Sequence, residues 1–261
     1  MPAPWLLLLV GVFTGFVSGL FGKGGSAIAT PLLQLAGTPA FIAVASPLPA
    51  AIPGTLVAAF AYMRRGLYDK KVIGWSVAAG IPATALGAWL SKFTTGASLL
   101  LLSNLILIGL GIAFFVPDRP AVAGKDSTGT SVPVRRGVVL NLAIATAVGL
   151  VSGLLANAGG FLLAPLYIKL LRVPLKTAFA CSMMVSAVLA IPGTVVHMEL
   201  GHIDWMLVFY FGMGAIPLSY FGARTAIRTP VRLLTPVFGL VNVVIGVAGA
   251  IDSIGWHRLH L

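Results

Sequence analysis

The sequence predicts an all-α integral membrane protein, an inverted repeat of two five-segment halves, each with a re-entrant or short-helix hairpin broken at a glycine-rich tip. Three observations carry this: the composition, the lengths of the apolar segments, and a long internal duplication. Of 261 residues, 58% are hydrophobic and 9% charged, and the mean hydropathy is +1.02. A soluble chain of this length needs a charged surface that these residues do not supply.

The first half reads as helical segments at roughly 5–21, 26–37, 41–63, 72–90 and 98–116. The second reads as roughly 137–155, 161–171, 176–197, 205–223 and 233–251. Segments of about 17–22 residues suit a hydrocarbon core about 30 Å thick. The second segment of each half, at about eleven residues, gives roughly 16 Å of helix and is too short to span. It is one arm of a hairpin whose tip is the glycine-rich break. The apolar segment at the N-terminus lacks a basic flank, so it reads as a retained membrane segment rather than a cleaved signal.

The duplication begins at that break. Gly15-Phe16-Val17-Ser18-Gly19-Leu20-Phe21-Gly22-Lys23-Gly24-Gly25, closed by Pro31, recurs as Gly149-Leu150-Val151-Ser152-Gly153-Leu154-Leu155-Ala156-Asn157-Ala158-Gly159-Gly160, closed by Pro165. Ile52-Pro53-Gly54-Thr55 recurs as Ile191-Pro192-Gly193-Thr194, Gly66-Leu67-Tyr68-Asp69 as Gly201-His202-Ile203-Asp204, and Ile81-Pro82 with Gly87 as Ile216-Pro217 with Gly222. The chain therefore divides into a first transmembrane repeat at 1–116, a cytoplasmic linker at 117–136 rich in Pro, Gly, Ser and Thr, and a second repeat at 137–261.

Loop charge gives the orientation. The net charge is +11, but the cations cluster in short loops: Arg64, Arg65, Lys70 and Lys71; Arg119, Lys125, Arg135 and Arg136; Lys169, Arg172 and Lys176; Arg224, Arg228 and Arg232. This is the positive-inside pattern, not the basic-aromatic stripe of a nucleic-acid surface. The loop 198–204 carries Glu199 and Asp204 without a Lys or Arg and points outward, although its repeat partner is the basic loop 64–71. Matching loops on opposite sides make the repeat inverted and put both termini outside. The expected setting is the bacterial cytoplasmic (inner) membrane, multi-pass, with the lipid bilayer as partner, no nucleic acid, and a homodimer left open.

All six carboxylates lie in loops or at segment ends, which argues against a cation path built on carboxylates. Lys23 instead sits in the first break between apolar segments, where a lysine costs about 2.5–3.5 kcal/mol without a partner. Its alternative is to snorkel to the interface. With Gly24, Gly25 and Ser26 it opens a helix whose free N–H groups suit an anion. Asn157, Ala158, Gly159 and Gly160 form the corresponding set, with Asn157 at the position of Lys23; a helix cap is the other reading of that amide. Ser46 and Ser182 follow the short arms and are candidates to line a path, or to bond back to their own helices. Thr55 and Thr194 are weaker candidates.

His197, Glu199, His202 and Asp204 lack the helical His-x-x-x-His spacing of a zinc site and read as a solvated external loop. Cys181, the single cysteine, reads as a packed core residue. No metal, cofactor, nucleotide fingerprint or nucleophile–base pair is indicated, so the chain is not read as an enzyme.

These residues resemble the sulfite exporter TauE/SafE family, also called the toluene sulfonate uptake permease family. The likeness rests on Gly22-Lys23-Gly24-Gly25-Ser26 with Pro31, on Ala156-Asn157-Ala158-Gly159-Gly160 with Pro165, and on Ala45-Ser46, Ala180-Cys181-Ser182 and the Gly201-His202-Ile203-Asp204 turn. Ser26 replaces the last glycine of the first run, Ala156 and Ala158 replace glycines of the second, and Lys23 departs from the generic pattern. The resemblance implies transport of small sulfur-containing anions such as sulfite or sulfoacetate-like sulfonates. Export is favoured, because moving one negative charge outward gains about 2.3 kcal/mol per 100 mV and needs no coupling ion. Cation-coupled uptake and a non-transporting intramembrane scaffold or enzyme are the alternatives.

Overall fold

The computed structural model describes residues 2–22, 26–115 and 134–259. Lys23, Gly24, Gly25 and most of the linker 117–136 lie outside the described residues. All regular structure among the described residues is helical: α1 (Pro4–Phe21), α2 (Ser26–Leu35), α3 (Ala40–Ala45), α4 (Pro47–Met63), α5 (Lys70–Leu90), α6 (Gly96–Phe115), α7 (Val134–Leu154), α8 (Gly160–Lys169), α9 (Leu175–Glu199), α10 (Trp205–Arg228) and α11 (Val231–Leu259). Six stretches are long and apolar enough to cross a membrane, namely α1, α3 with α4, α5 through Phe93, residues 137–154 of α7, α9 and α10. Trp5, Phe13, Phe60, Trp89, Phe209 and Phe221 are exposed on the outside. An apolar outer surface of this kind needs lipid rather than water.

The short second segments form as the sequence predicts, as α2 and α8. The third segments differ between the halves. The stretch 41–63, expected as one helix, is interrupted at Ser46, whereas α9 runs unbroken. Pro47 follows Ser46 and has no N–H to donate into a preceding turn. The equivalent position in α9 is Met183, which imposes no such stop.

Asp69 and Asp204 start the fourth helices in the same way. Asp69 Oδ1 accepts the N–H groups of Lys71 at 2.8 Å and Val72 at 3.2 Å. Asp204 Oδ1 accepts those of Met206 at 2.8 Å and Leu207 at 3.1 Å. Each cap satisfies two of the N–H groups that a helix start leaves free. The Asp found in both copies of the repeat is therefore a helix N-cap.

Small residues let the first helix of each half lie directly on the fourth helix of the other. A Cβ at Gly11, Gly15 or Gly19 of α1 would collide with the carbonyl oxygens of Phe211, Ala215 and Ser219 of α10, in ascending order. In the second pair, a Cβ at Gly149 of α7 would lie 2.8 Å from Gly80 O, and one at Gly153 would collide with Thr84 O, both on α5. Both pairs thus run parallel. Close approach of backbones is how helices associate where lipid supplies no hydrophobic drive.

Where side chains fill the gap, the halves reach the same shape by different chemistry. Leu7, Leu33 and Phe211 pack together in one apolar cluster. The repeat carries these positions to Asn141, Tyr167 and Ser76, which hydrogen-bond instead. Tyr167 Oη donates to Ser76 Oγ at 2.6 Å, Ser76 Oγ to Asn141 Oδ1 at 2.8 Å, and Asn141 Nδ2 to Val72 O at 3.1 Å. A buried polar set is tolerated because each of these donors has an acceptor.

Two substitutions separate packing from propensity. Gly19→Val forces a side chain into the Ser219 carbonyl and should cost about 1–3 kcal/mol or more. Gly74→Ala, with nothing within 4 Å of the new Cβ, should stabilise by about 0.5–1 kcal/mol. Thermal unfolding of the detergent-solubilised protein checks both; equal melting temperatures would contradict the packing.

Candidate functional site

Each break begins where a first helix stops. α1 ends at Phe21 and is capped by Gly22, at φ 67°, whose N–H returns to Ser18 O. α7 ends at Leu154. Ala156 N–H donates to Gly153 O at 3.1 Å, and Asn157 N–H to Ser152 O at 2.7 Å. Ala156 itself sits at φ 45°, a left-handed conformation that costs a residue with a Cβ about 1–2 kcal/mol. The alanine that replaces a glycine of the run is thus held in a glycine's geometry.

The two breaks touch through side chains. Ser26, first residue of α2, donates from Oγ to Asn157 Oδ1 at 2.7 Å. The same oxygen accepts Ala158 N–H at 3.1 Å. Ser26 is 1% exposed and Asn157 3%, so this contact is closed to solvent. Gly159, at φ 77°, then caps the N-terminus of α8, which starts at Gly160. The N-terminal ends of α2 and α8 and the backbone of 156–159 therefore meet in one place, with the positive ends of both helix dipoles there.

Of the residues singled out from sequence, Ser26, Asn157, Ala158, Gly159 and Gly160 come together. Ser182 joins from α9, donating to the carbonyls of Gly22 and, at 2.9 Å, of Phe179. Ser46 is turned elsewhere: its Oγ accepts Asp204 N–H at 2.9 Å and ties α4 to the start of α10. Cys181 does the equivalent for Asp69, whose N–H reaches its Sγ at 3.3 Å. Lys23, Gly24 and Gly25 fall outside the described residues.

Further hydroxyls line the flanks, among them the weaker candidates Thr55 and Thr194 and others that the sequence did not mark. A narrow cavity between α1, α4 and α10 is bordered by Gly15, Ser18, Ser26, Thr55, Ala215 and Ser219. There Thr55 Oγ1 donates to Ala51 O at 2.6 Å and Ser219 Oγ to Ala215 O at 2.7 Å. The repeat carries Gly15, Ser18, Ser26, Ala215 and Ser219 to Gly149, Ser152, Gly160, Gly80 and Thr84, and the Pro-Gly-Thr motif of Thr55 recurs about one helical turn further along α9, at Thr194. On this second flank the hydroxyls of Ser152, Thr84 and Thr194 are buried without a hydrogen-bond partner, as is that of Ser186 on α9. A Cβ at Gly159 would lie 2.7 Å from Ser152 Oγ, so that hydroxyl faces the second break. A Cβ at Gly149 would lie 3.2 Å from Thr84 Oγ1. Each buried, unpaired hydroxyl costs about 1–3 kcal/mol, a standing reason for a ligand or water to sit there.

The signal for these residues was present in the sequence. Ser18 and Ser152, and Ser219 and Thr84, pair under the same repeat offsets as the glycines. The expected external cluster needs correction in one respect: His197 is 1% exposed within α9, not in a solvated loop. Among the described residues, no group of three or more His, Cys, Asp or Glu could hold a metal ion.

A family model described as "Sulfite exporter TauE/SafE" matches residues 7–249. The chain is 27% identical over 238 residues to "Probable membrane transporter protein YunE" of Bacillus subtilis (strain 168), covering 84% of this chain and 85% of that one. It is 28% identical over 246 residues to a "Probable membrane transporter protein" of Xylella fastidiosa (strain 9a5c), covering 91% of each. Against "Probable membrane transporter protein YfcA" of Escherichia coli (strain K12), identity is 24% over 260 residues, covering 98% and 92%. No solved structure matches the chain significantly.

The bridge between the breaks is testable by itself. Ser26→Ala leaves Asn157 Oδ1 buried and unpaired and should destabilise by about 1–3 kcal/mol. Ser26→Ala with Asn157→Ala should cost less than the sum of the two single changes. Additive losses in a double-mutant cycle on melting would mean that the two side chains do not interact.

Proposed function

The chain belongs to the sulfite exporter TauE/SafE family, and we propose that it carries a small sulfur-containing anion, sulfite or an organosulfonate, by alternating access around the two breaks. It is a multi-pass membrane protein of a transporter family, not an enzyme. The observation that carries the anion reading is the unpartnered hydroxyl of Ser152, which faces Gly159 at the α8 N-terminus, with the unpartnered hydroxyl of Thr84 on the same flank. Hydroxyls and N-terminal N–H groups donate to an oxyanion, and both helix dipoles oppose a cation at the same place.

In this reading the substrate lies between Lys23-Gly24-Gly25-Ser26 and Asn157-Ala158-Gly159-Gly160. Ser182 braces the first break and Ser46 the outer end of the path. Lys23 adds a positive charge to a site that the duplication alone would make symmetric. Binding the anion would replace the Ser26–Asn157 contact with contacts of both side chains to substrate oxygens.

Helix direction supports an inverted repeat. Gly212 lies against Ala50, and Gly54 against Ile216 and Ser219, in ascending order, so α4 runs with α10 and hence with α1. Gly80 lies against Leu189 and Gly193 against Thr84, so α9 runs with α5 and hence with α7. Short connections at 64–69 and 200–204 reverse one set relative to the other. Each half's helices then oppose their counterparts, the arrangement that lets one site open to either face. The basic loops set the cytoplasmic side of a bacterial inner membrane, and the inside-negative potential favours export.

Uptake of radiolabelled sulfite into inside-out proteoliposomes, equivalent to export, tests the reading. Ser152→Ala and Thr84→Val should each raise the half-saturating concentration about tenfold, the loss of one hydrogen bond to a charged ligand. Lys23→Met should abolish or strongly weaken transport. Flux that is unchanged in all three, or that appears only with an imposed cation gradient, would contradict this site or this uncoupled direction.

A further inference from the structure

Each break has a second tether, made by a different side chain in each half. Tyr62 Oη of α4 donates to Gly19 O at 3.2 Å. The repeat carries Gly19 to Gly153 and Tyr62 to His197, and His197 Nε2 lies 3.1 Å from Gly153 O. A carbonyl only accepts, so Nε2 carries the hydrogen and Nδ1 of the neutral ring is a lone pair. That Nδ1 is 3.1 Å from Nδ1 of His202, which must therefore donate. His202 stacks on Phe41 with ring centroids 4.4 Å apart and 17° between planes. Its own repeat counterpart is Leu67. One half thus ties its break with a phenol, and the other with a histidine pair.

We propose that His197 and His202 form a proton-binding site that makes the second break, and not the first, respond to pH. A proton arrives at His202 Nε2, since His202 is the partly exposed ring of the pair. The hydrogen on His202 Nδ1 then passes to His197 Nδ1. The result is a His197 imidazolium and a neutral His202, with one proton gained and the ring–ring hydrogen bond kept in reversed sense. The charge comes to rest against Gly153 O in the last turn of α7, the end of a helix that favours a cation. Gly153 O also holds Ala156 N–H, so the proton is delivered to the carbonyl that shapes the break. A second proton would set two N–H groups against each other and part the rings.

The surroundings leave this pair as the titrating unit. α3 and the first turn of α6, which approach Phe41, carry no titratable side chain. The charged groups at this end are Glu199 on α9, Asp204, already engaged as the cap of α10, and Lys92 beyond α5, whose Nζ lies over the Trp89 ring. Burial pushes the His202 imidazole below its ordinary value. The pair is therefore neutral near pH 7 and loads on acidification of the outer side. One consequence rests on the anion reading: a loaded pair puts positive charge near Ser152 and Asn157, so acid strengthens anion binding from outside.

Imidazole-¹⁵N NMR of the full chain in lipid nanodiscs tests the site without any substrate. Near pH 8 it should show His197 as the Nε2–H tautomer and His202 as the Nδ1–H tautomer. On acidification the signals of the two rings should change together as one unit, with His202 titrating below the ordinary histidine value of about 6.5. His202→Leu should move the His197 titration by about one pH unit or more. Independent titrations at the ordinary value, or a His197 signal unchanged in His202→Leu, would overturn the proposal. In flux, His197→Tyr, which copies the first half, should keep transport within about twofold near pH 8 and lose the acid response. Should His197→Tyr not fold, His202→Leu must show the same loss of acid response, and a retained response overturns the proposal. Coupled NMR titrations with no anion flux at any pH would uphold the proton site and sink the substrate reading instead.

Discussion

Inside a hydrocarbon layer a helix can stop only where the backbone groups it frees find partners in protein. The rest of this molecule is arranged around meeting that requirement twice. At the first break the carbonyl of Gly22 is taken by Ser182 from the other half, and at the second the N–H of Ala158 is taken by Ser26 from the other half. Neither half could close its own break with these contacts, so the halves are bound to each other at the breaks. The tight seams of α1 on α10 and α7 on α5 keep the breaks in register, because glycine at 15, 19, 149 and 153 leaves no slack between backbones.

Duplication supplies the frame, and the departures from it supply the chemistry. The same three positions are Leu7, Leu33 and Phe211 in one half and a hydrogen-bonded Asn141, Tyr167 and Ser76 in the other. The same flank has hydroxyls that bond to their own helix at Thr55 and Ser219, and hydroxyls without partners at Ser152, Thr84 and Thr194. The second flank is thus the one with hydrogen-bonding capacity to spare. The tethers Tyr62 and His197 follow the same rule, inert on one side and titratable on the other.

Much of this was legible in the sequence, because glycine and proline act through the backbone and keep their meaning without tertiary context. The short arms and the glycine-rich stops came from them, while the eight long segments came from apolar length, and six stretches are long and apolar enough to span among the described residues. Ser26 and Asn157 were legible as candidates because they sit in the stops, and the structure brings the two into contact. The split at Ser46 is masked in the sequence by a continuous apolar run, although Pro47, which has no N–H to donate, ends the helix that precedes it. Ser152, Thr84 and Ser186 were not singled out because a lone hydroxyl in an apolar helix bonds to its own backbone as readily as to a ligand. Only the neighbouring helices decide which. His197 looked like part of a polar loop because α9 extends past it to Glu199.

The central claim is that a sulfur oxyanion is held where the two breaks meet. Selenite, a heavier analogue of sulfite, scatters anomalously, so crystals grown with it locate the anion directly. The account predicts one anomalous peak between Ser26 and the segment Asn157–Gly160, within hydrogen-bonding distance of Ser152. A selenite-transporting protein whose peak lies only at the basic loops, or whose breaks stay joined by the Ser26–Asn157 bond with no peak between them, would contradict it.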